Sequence, residues 1–171
     1  VSPLFVQELP PPLHLDMSFP QPWASRGNNV MTIQAVLLPL FVQVALTFVL
    51  LFWMGGLRVG AVRRGEVHPR DVALREPNWP ANVTQVSNAY HNQFELPVLF
   101  YVLTILAWTT RQADLVFVVL AWVFVVLRIV HAYIHVTSNR MSQRFYLFLA
   151  GAIVLLVMWV IFAAGLLLRT A

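Results

Sequence analysis

The sequence predicts an all-α integral membrane protein, a bundle of four transmembrane helices. Three observations lead there. Of 171 residues, 59% are hydrophobic and only 11% charged, against roughly 45–50% and ~25% in soluble domains. Four long apolar segments follow one another after residue 30. The arginines between them gather in two of the connecting loops. Mean hydropathy is +0.72. A soluble fold with so few charges could not cover this much apolar surface, and a disordered or collagen-like chain has a different composition. The chain has no Cys, which excludes disulfides, thiolate nucleophiles and Cys-ligated metals. All 11 cationic residues are Arg, and the net charge is +4. That excess is spread along the chain rather than packed into a basic stripe, so nucleic acid is not an expected partner despite a pI near 10.3. The bilayer is.

Residues 1–30 hold six of the eleven prolines and no sustained apolar run. Proline blocks helix and central strand alike, so this stretch reads as a loose, disordered leader. No basic start precedes an apolar stretch, as a signal peptide requires. The chain opens with Val, and Met31 immediately precedes the first membrane-type segment. Met31 is therefore expected to be the natural start, with the leader arising from an upstream start site. The alternative is a genuine periplasmic or lumenal tail. The membrane domain is residues 31–171.

The first segment, residues 35–54, is twenty residues without charge, interrupted only by Pro39, Gln43 and Thr47. The last, residues 145–168, is twenty-four residues without charge. At 1.5 Å per residue it spans ~36 Å, enough for a ~30 Å hydrocarbon core. The two middle segments are mixed. Residues 86–108 begin polar (Ser87, Asn88, His91, Asn92, Gln93, Glu95) and turn apolar from Leu96; residues 115–136 are apolar until Leu127 and then carry Arg128, His131 and His135. The short 109–114 connection makes these two an antiparallel hairpin. Their polar halves then share one membrane face with the 55–82 and 136–144 loops. Those loop regions hold Arg58, Arg63, Arg64, Arg70, Arg75, Arg140 and Arg144, whereas the opposite face has Arg26, Arg111 and Arg169. The positive-inside rule puts both basic loops in the cytoplasm and both termini outside. The sequon Asn82-Val83-Thr84 would then face the cytoplasm and is discounted.

Counted as one helix, Asn88, His91, Asn92 and Glu95 fall at i, i+3, i+4 and i+7, on one stripe. Pro97 behind them frees a backbone carbonyl and predicts a kink. Arg128, His131 and His135 form a second stripe. Glu95 is the only acid within any segment, and Arg128 at equivalent depth is its expected partner.

Three readings of these residues stay open. In the first, Glu95–Arg128 is a buried pair that sets helix register and the histidines are satisfied core residues. In the second, His131 and His135 share a metal ion with His91 and Glu95, which Arg128 on the same stripe opposes. In the third, Arg128, Arg140 and Arg144 bind carboxylates or stabilise a thiolate, while Asn88, Asn92 and Glu95 read amides and an ammonium.

The stretch Asn88-Ala-Tyr-His-Asn-Gln-Phe-Glu-Leu-Pro-Val-Leu-Phe-Tyr101 resembles the second-helix signature of the membrane-associated proteins in eicosanoid and glutathione metabolism, the MAPEG family. Arg128-Ile-Val-His-Ala-Tyr-Ile-His135 and Arg144-Phe-Tyr-Leu-Phe148 support the resemblance, which covers about residues 31–169 and is greatest to short bacterial members. It implies a homotrimer in a bacterial inner membrane, with glutathione as co-substrate between subunits near the cytoplasmic side and no metal. It implies Asn92 and Glu95 as tripeptide contacts. His131 and His135 stand where active eukaryotic members tend to carry tyrosines. The thiolate-stabilising Arg near the start of the fourth helix corresponds to Arg140 or Arg144. The sequence departs from those members at Asn88, where they carry Arg, and at Leu96, where they carry an aromatic residue.

The resemblance implies a glutathione transferase or peroxidase acting on a small lipophilic substrate. The alternative is a non-catalytic lipid- or thiol-binding or scaffold protein of the same fold. In either case Arg128, His131 and His135 join Asn88, Asn92 and Glu95 as candidate binding residues, and Arg144 and Arg140 are the candidate catalytic ones.

Overall fold

The computed structural model describes residues 31–73 and 78–168. The leader expected over residues 1–30, together with Arg26, Arg75 and Arg169, lies outside the described residues. Every regular element described is helical: α1 (Ile33–Arg63), α2 (Ala81–His91), α3 (Leu96–Thr109), α4 (Leu115–Val136) and α5 (Met141–Leu167).

The start and end of α1 follow from local chemistry. The Thr32 hydroxyl accepts from the Ala35 N–H at 3.3 Å, a side-chain cap on an otherwise orphaned donor. At the other end Gly65 adopts φ +72°. The Gly65 N–H then reaches the Val62 carbonyl and the Glu66 N–H the Ala61 carbonyl, both at 3.0 Å. That paired closure needs a left-handed residue, which glycine adopts without strain. The 31-residue α1 is about 46 Å long, well beyond a hydrocarbon core, so its Arg-rich end projects past the apolar zone. Asp114 caps α4, accepting from the Phe117 N–H at 2.9 Å. The Met31 N–H donates to the Ala113 carbonyl at 3.0 Å, tying the start of α1 to the α3–α4 turn.

Among the described residues three helices, α1, α4 and α5, are long and apolar enough to cross a membrane. The expected second helix is not continuous. It breaks at a 3-10 turn over Asn92–Phe94, and Glu95 sits at φ −99°, ψ −106°, outside the helical region. The cause is the residue expected to kink it. Pro97 lies in the first turn of α3, where its missing N–H costs nothing; the same ring would remove a bond from a continuous helix. At 11 and 14 residues, α2 and α3 are each shorter than the ~20 needed to span.

The central helix is α4. It packs most extensively on α5 and also against α1 and α2. The main core joins α3, α4 and α5 around Phe100 and Phe124, whose rings stack at 4.8 Å between centroids. A smaller cluster, Leu50–Ala89–Ala132, lets α1, α2 and α4 approach through two alanines. The outward faces carry large apolar side chains such as Phe52, Val119, Leu156 and Leu167, which suits contact with lipid.

Candidate functional site

The polar residues form a layer at the end of the bundle where α2, the last turns of α4 and the first turn of α5 meet. Its deepest cation is Arg128, 1% exposed. The Arg128 Nη2 donates to the Asn92 carbonyl at 2.8 Å and to the Asn92 Oδ1 at 2.6 Å. The Asn92 Nδ2 donates in turn to the Glu95 Oε2 at 3.0 Å. The expected direct Glu95–Arg128 pair is therefore corrected: Asn92 stands between them. The helix break is the physical reason. It leaves Asn92 half-buried against α4 and turns Glu95 to the exposed side. An ion pair instead joins Arg64 and Glu66, in the α1–α2 loop, at 2.6 Å. There the hydrogen bond from Arg64 holds the Glu66 carboxyl below its usual range.

One and two turns beyond Arg128 lie His131 and His135, both buried, with rings 5.8 Å apart and nearly perpendicular. The His131 Nδ1 lies 3.2 Å from the Arg144 carbonyl. A carbonyl can only accept, so this contact assigns a proton to Nδ1; in the neutral ring Nε2 then carries the lone pair. The Arg144 guanidinium donates through Nη1 to the Asn139 Oδ1 at 2.7 Å. Arg140 immediately precedes α5, with an exposed side chain that makes no capping hydrogen bond. Asn88 and His91 are also exposed.

The structure thus gathers Asn92, Glu95 and Arg128 into one hydrogen-bonded series, and His131, His135 and Arg144 into an adjacent group. It leaves Asn88 and Arg140 outside both. The four residues considered for a metal do not converge, because His91 and Glu95 face outward and the other two histidines inward. Among the described residues no group of three or more His, Cys, Asp or Glu side chains could hold a metal ion.

Other contacts were not apparent from sequence. The Gln43 Nε2 donates to the Gln93 Oε1 at 2.8 Å, inside the bundle, and the Gln93 Nε2 donates to the Ala89 carbonyl at 3.0 Å. Adjacent residues of the break are therefore held from opposite sides, Asn92 by α4 and Gln93 by α1. Arg58 donates to the Ser87 Oγ at 3.0 Å and sits 5.1 Å from the centre of the Trp79 ring. Gln85 donates to the carbonyls of His135 and Thr137 at 2.8 and 3.1 Å. A polar interruption in an apolar run was the only available signal for Gln43, and a polar residue in a short interhelical loop the only one for Asn139.

Several buried donors here have no hydrogen-bond partner among the described residues: Arg128 Nε and Nη1, and Arg144 Nε. Chemically the layer can therefore receive negative charge, with one outward carboxylate for a cationic group. A MAPEG family model matches residues 36–164. The chain belongs to the MAPEG family. No curated protein and no solved structure matches it. With three membrane-competent helices, this MAPEG chain is an integral membrane protein.

Proposed function

We propose that this MAPEG protein is a glutathione-dependent transferase or peroxidase acting on lipophilic electrophiles or hydroperoxides. The observation that carries the reading is the placement of Arg144. Its half-buried guanidinium lies in the layer that also holds Arg128, Asn92 and Glu95. The residues suit the ligand. The guanidinium N–H groups of Arg128 and Arg144 that have no partner among the described residues match carboxylate or thiolate, the exposed Glu95 carboxylate matches an ammonium, and the amides of Asn92 and Asn88 match amide or carboxylate groups.

Glutathione bound here would supply a thiol whose pKa, near that of free Cys at about 8.5, leaves little thiolate at neutral pH. Arg144 keeps its positive charge throughout the useful pH range and lowers the cost of negative charge at sulfur. A fall of two pKa units corresponds to about 2.7 kcal/mol. Arg128 holds Asn92, which holds Glu95, so the ammonium acceptor keeps its orientation. His131 and His135 line the site. The second substrate enters laterally from lipid. Arg140, exposed at the start of α5, is the weaker candidate beside the thiol.

In this reading α2 and α3 together make a fourth crossing and the chain forms a homotrimer. The outward side chains of Asn88, His91 and Glu95 then face a neighbouring subunit. The basic loops are cytoplasmic and both termini outside, in a bacterial inner membrane.

A second reading is favoured by Asn88 and Leu96, which replace the Arg and the aromatic residue of active members: a thiol- or lipid-binding protein without turnover. Purified protein assayed for glutathione conjugation to a lipophilic halodinitrobenzene and for lipid hydroperoxide reduction, with calorimetric glutathione binding in parallel, separates the two. Binding with turnover supports the enzyme. Binding without turnover of either substrate supports the second reading, and absence of binding removes both glutathione-based readings.

A further inference from the structure

Arg144 occupies the first turn of α5, an unfavourable place for a cation. The N-terminal end of a helix carries partial positive charge, and no acidic residue lies in that turn. Unaided, a long guanidinium there would swing toward solvent. Its acceptor is Asn139, two residues before the helix, whose Oδ1 lies 2.7 Å from the Arg144 Nη1. Asn139 has φ +49°, the left-handed region that Asn and Gly adopt more readily than other residues. Its N–H reaches back to the Ile134 carbonyl at 2.8 Å, closing α4. From the other side the His131 Nδ1 meets the Arg144 carbonyl. One short loop thus ends α4, starts α5 and sets the direction of Arg144.

We propose that Asn139 is the positioning residue for Arg144, and that a neutral amide is used because it directs the guanidinium without cancelling its charge. The inference rests on the reading of Arg144 as the thiolate-stabilising cation. An aspartate could supply the same oxygen and tolerate the same backbone, but its negative charge would compete with a thiolate for the cation. Glycine would keep the backbone and remove the acceptor.

Two variants with two readouts test this. In Asn139→Gly without ligand, Arg144 should react with phenylglyoxal about three- to tenfold faster than in the unsubstituted protein, scored by mass spectrometry. That range matches the net worth of one ordinary, solvent-exposed hydrogen bond. In Asn139→Asp the rate should stay at or below the unsubstituted level. With glutathione added, the pH at which thiolate absorbance appears should rise in both variants, toward that of Arg144→Ala. An unsubstituted-protein reaction rate in Asn139→Gly overturns the proposal, as does a faster rate with an unshifted thiolate titration. Matching thiolate titrations in the unsubstituted protein and Arg144→Ala would instead overturn the role given to Arg144, and the phenylglyoxal rates would still decide whether Asn139 holds it. Helical circular dichroism of each variant guards against misfolding, and Asn139→Asp keeps the test decisive if glycine loosens the loop.

Discussion

Arg128 grips Asn92 twice through one nitrogen, at the backbone carbonyl (2.8 Å) and at the side-chain Oδ1 (2.6 Å). A buried guanidinium is thereby spent on a broken helix turn, and the amide it fixes passes the constraint on to Glu95 at 3.0 Å.

Removing that grip should be costly. Arg128→Met leaves two Asn92 oxygens without their donor and is expected to destabilise the protein by about 1.5–3 kcal/mol, the range for losing a hydrogen bond to a charged group. Arg128→Lys keeps the charge on a differently shaped donor and should fall between. Thermal unfolding in a single detergent, at constant protein concentration, measures both. Unchanged midpoints would mean that the break holds itself.

Glu95→Gln should separate binding from folding. The glutamine oxygen can still accept from the Asn92 Nδ2, so stability is expected to stay within about 0.5 kcal/mol. The ammonium acceptor loses its charge, and glutathione affinity should fall about tenfold or more. Calorimetric titration of the variant checks this; unaltered affinity would make Glu95 purely structural.

The buried Gln43–Gln93 pair predicts non-additive stability. Gln43→Leu strands the Gln93 Oε1 inside the bundle and should cost about 1–3 kcal/mol. Replacing both residues by Leu removes both polar ends, so the double variant should lose less than the sum of the single losses. Strict additivity in a double-mutant cycle would contradict a direct coupling.

Outside the membrane, Glu66 predicts a pH dependence with a definite sign. The Arg64 hydrogen bond lowers the Glu66 pKa from its ordinary 4.5. A carboxylate lowered in the folded state adds stability above its unfolded pKa, and that stability fades as pH falls through the folded value. The pair is exposed, so the effect on stability is small. A carboxyl NMR titration should place Glu66 below 4.5 and return it upward in Arg64→Ala; matching midpoints in the two proteins would refute the pairing.

The charge-free runs at residues 35–54 and 145–168 announced α1 and α5, and the mixed run at 115–136 announced α4 with its Arg128–His131–His135 stripe. Pro97 signalled a disturbance, and Asn92, Glu95 and Arg128 were expected to lie close together. What stayed hidden depends on that disturbance. Counting 3.6 residues per turn through 88–95 places four polar residues on one stripe, whereas the break at Asn92 turns Glu95 outward and leaves Asn92 facing α4. Sequence spacing carries no information about such a rotation. Nor could it pair Gln43 with Gln93, fifty residues apart, because that contact depends on how α1 crosses the break. The left-handed turn at Asn139 is equally silent until the loop is built.

If Arg144 stabilises a bound thiolate, ultraviolet difference spectroscopy will see it. Glutathione is titrated into purified protein at neutral pH while absorbance near 240 nm, roughly where thiolates absorb, is followed. The unsubstituted protein should give a saturable thiolate signal, retained in Arg140→Ala and lost in Arg144→Ala while glutathione still binds. A signal of undiminished size in Arg144→Ala, or glutathione bound with no thiolate signal in the unsubstituted protein, would contradict that role for Arg144.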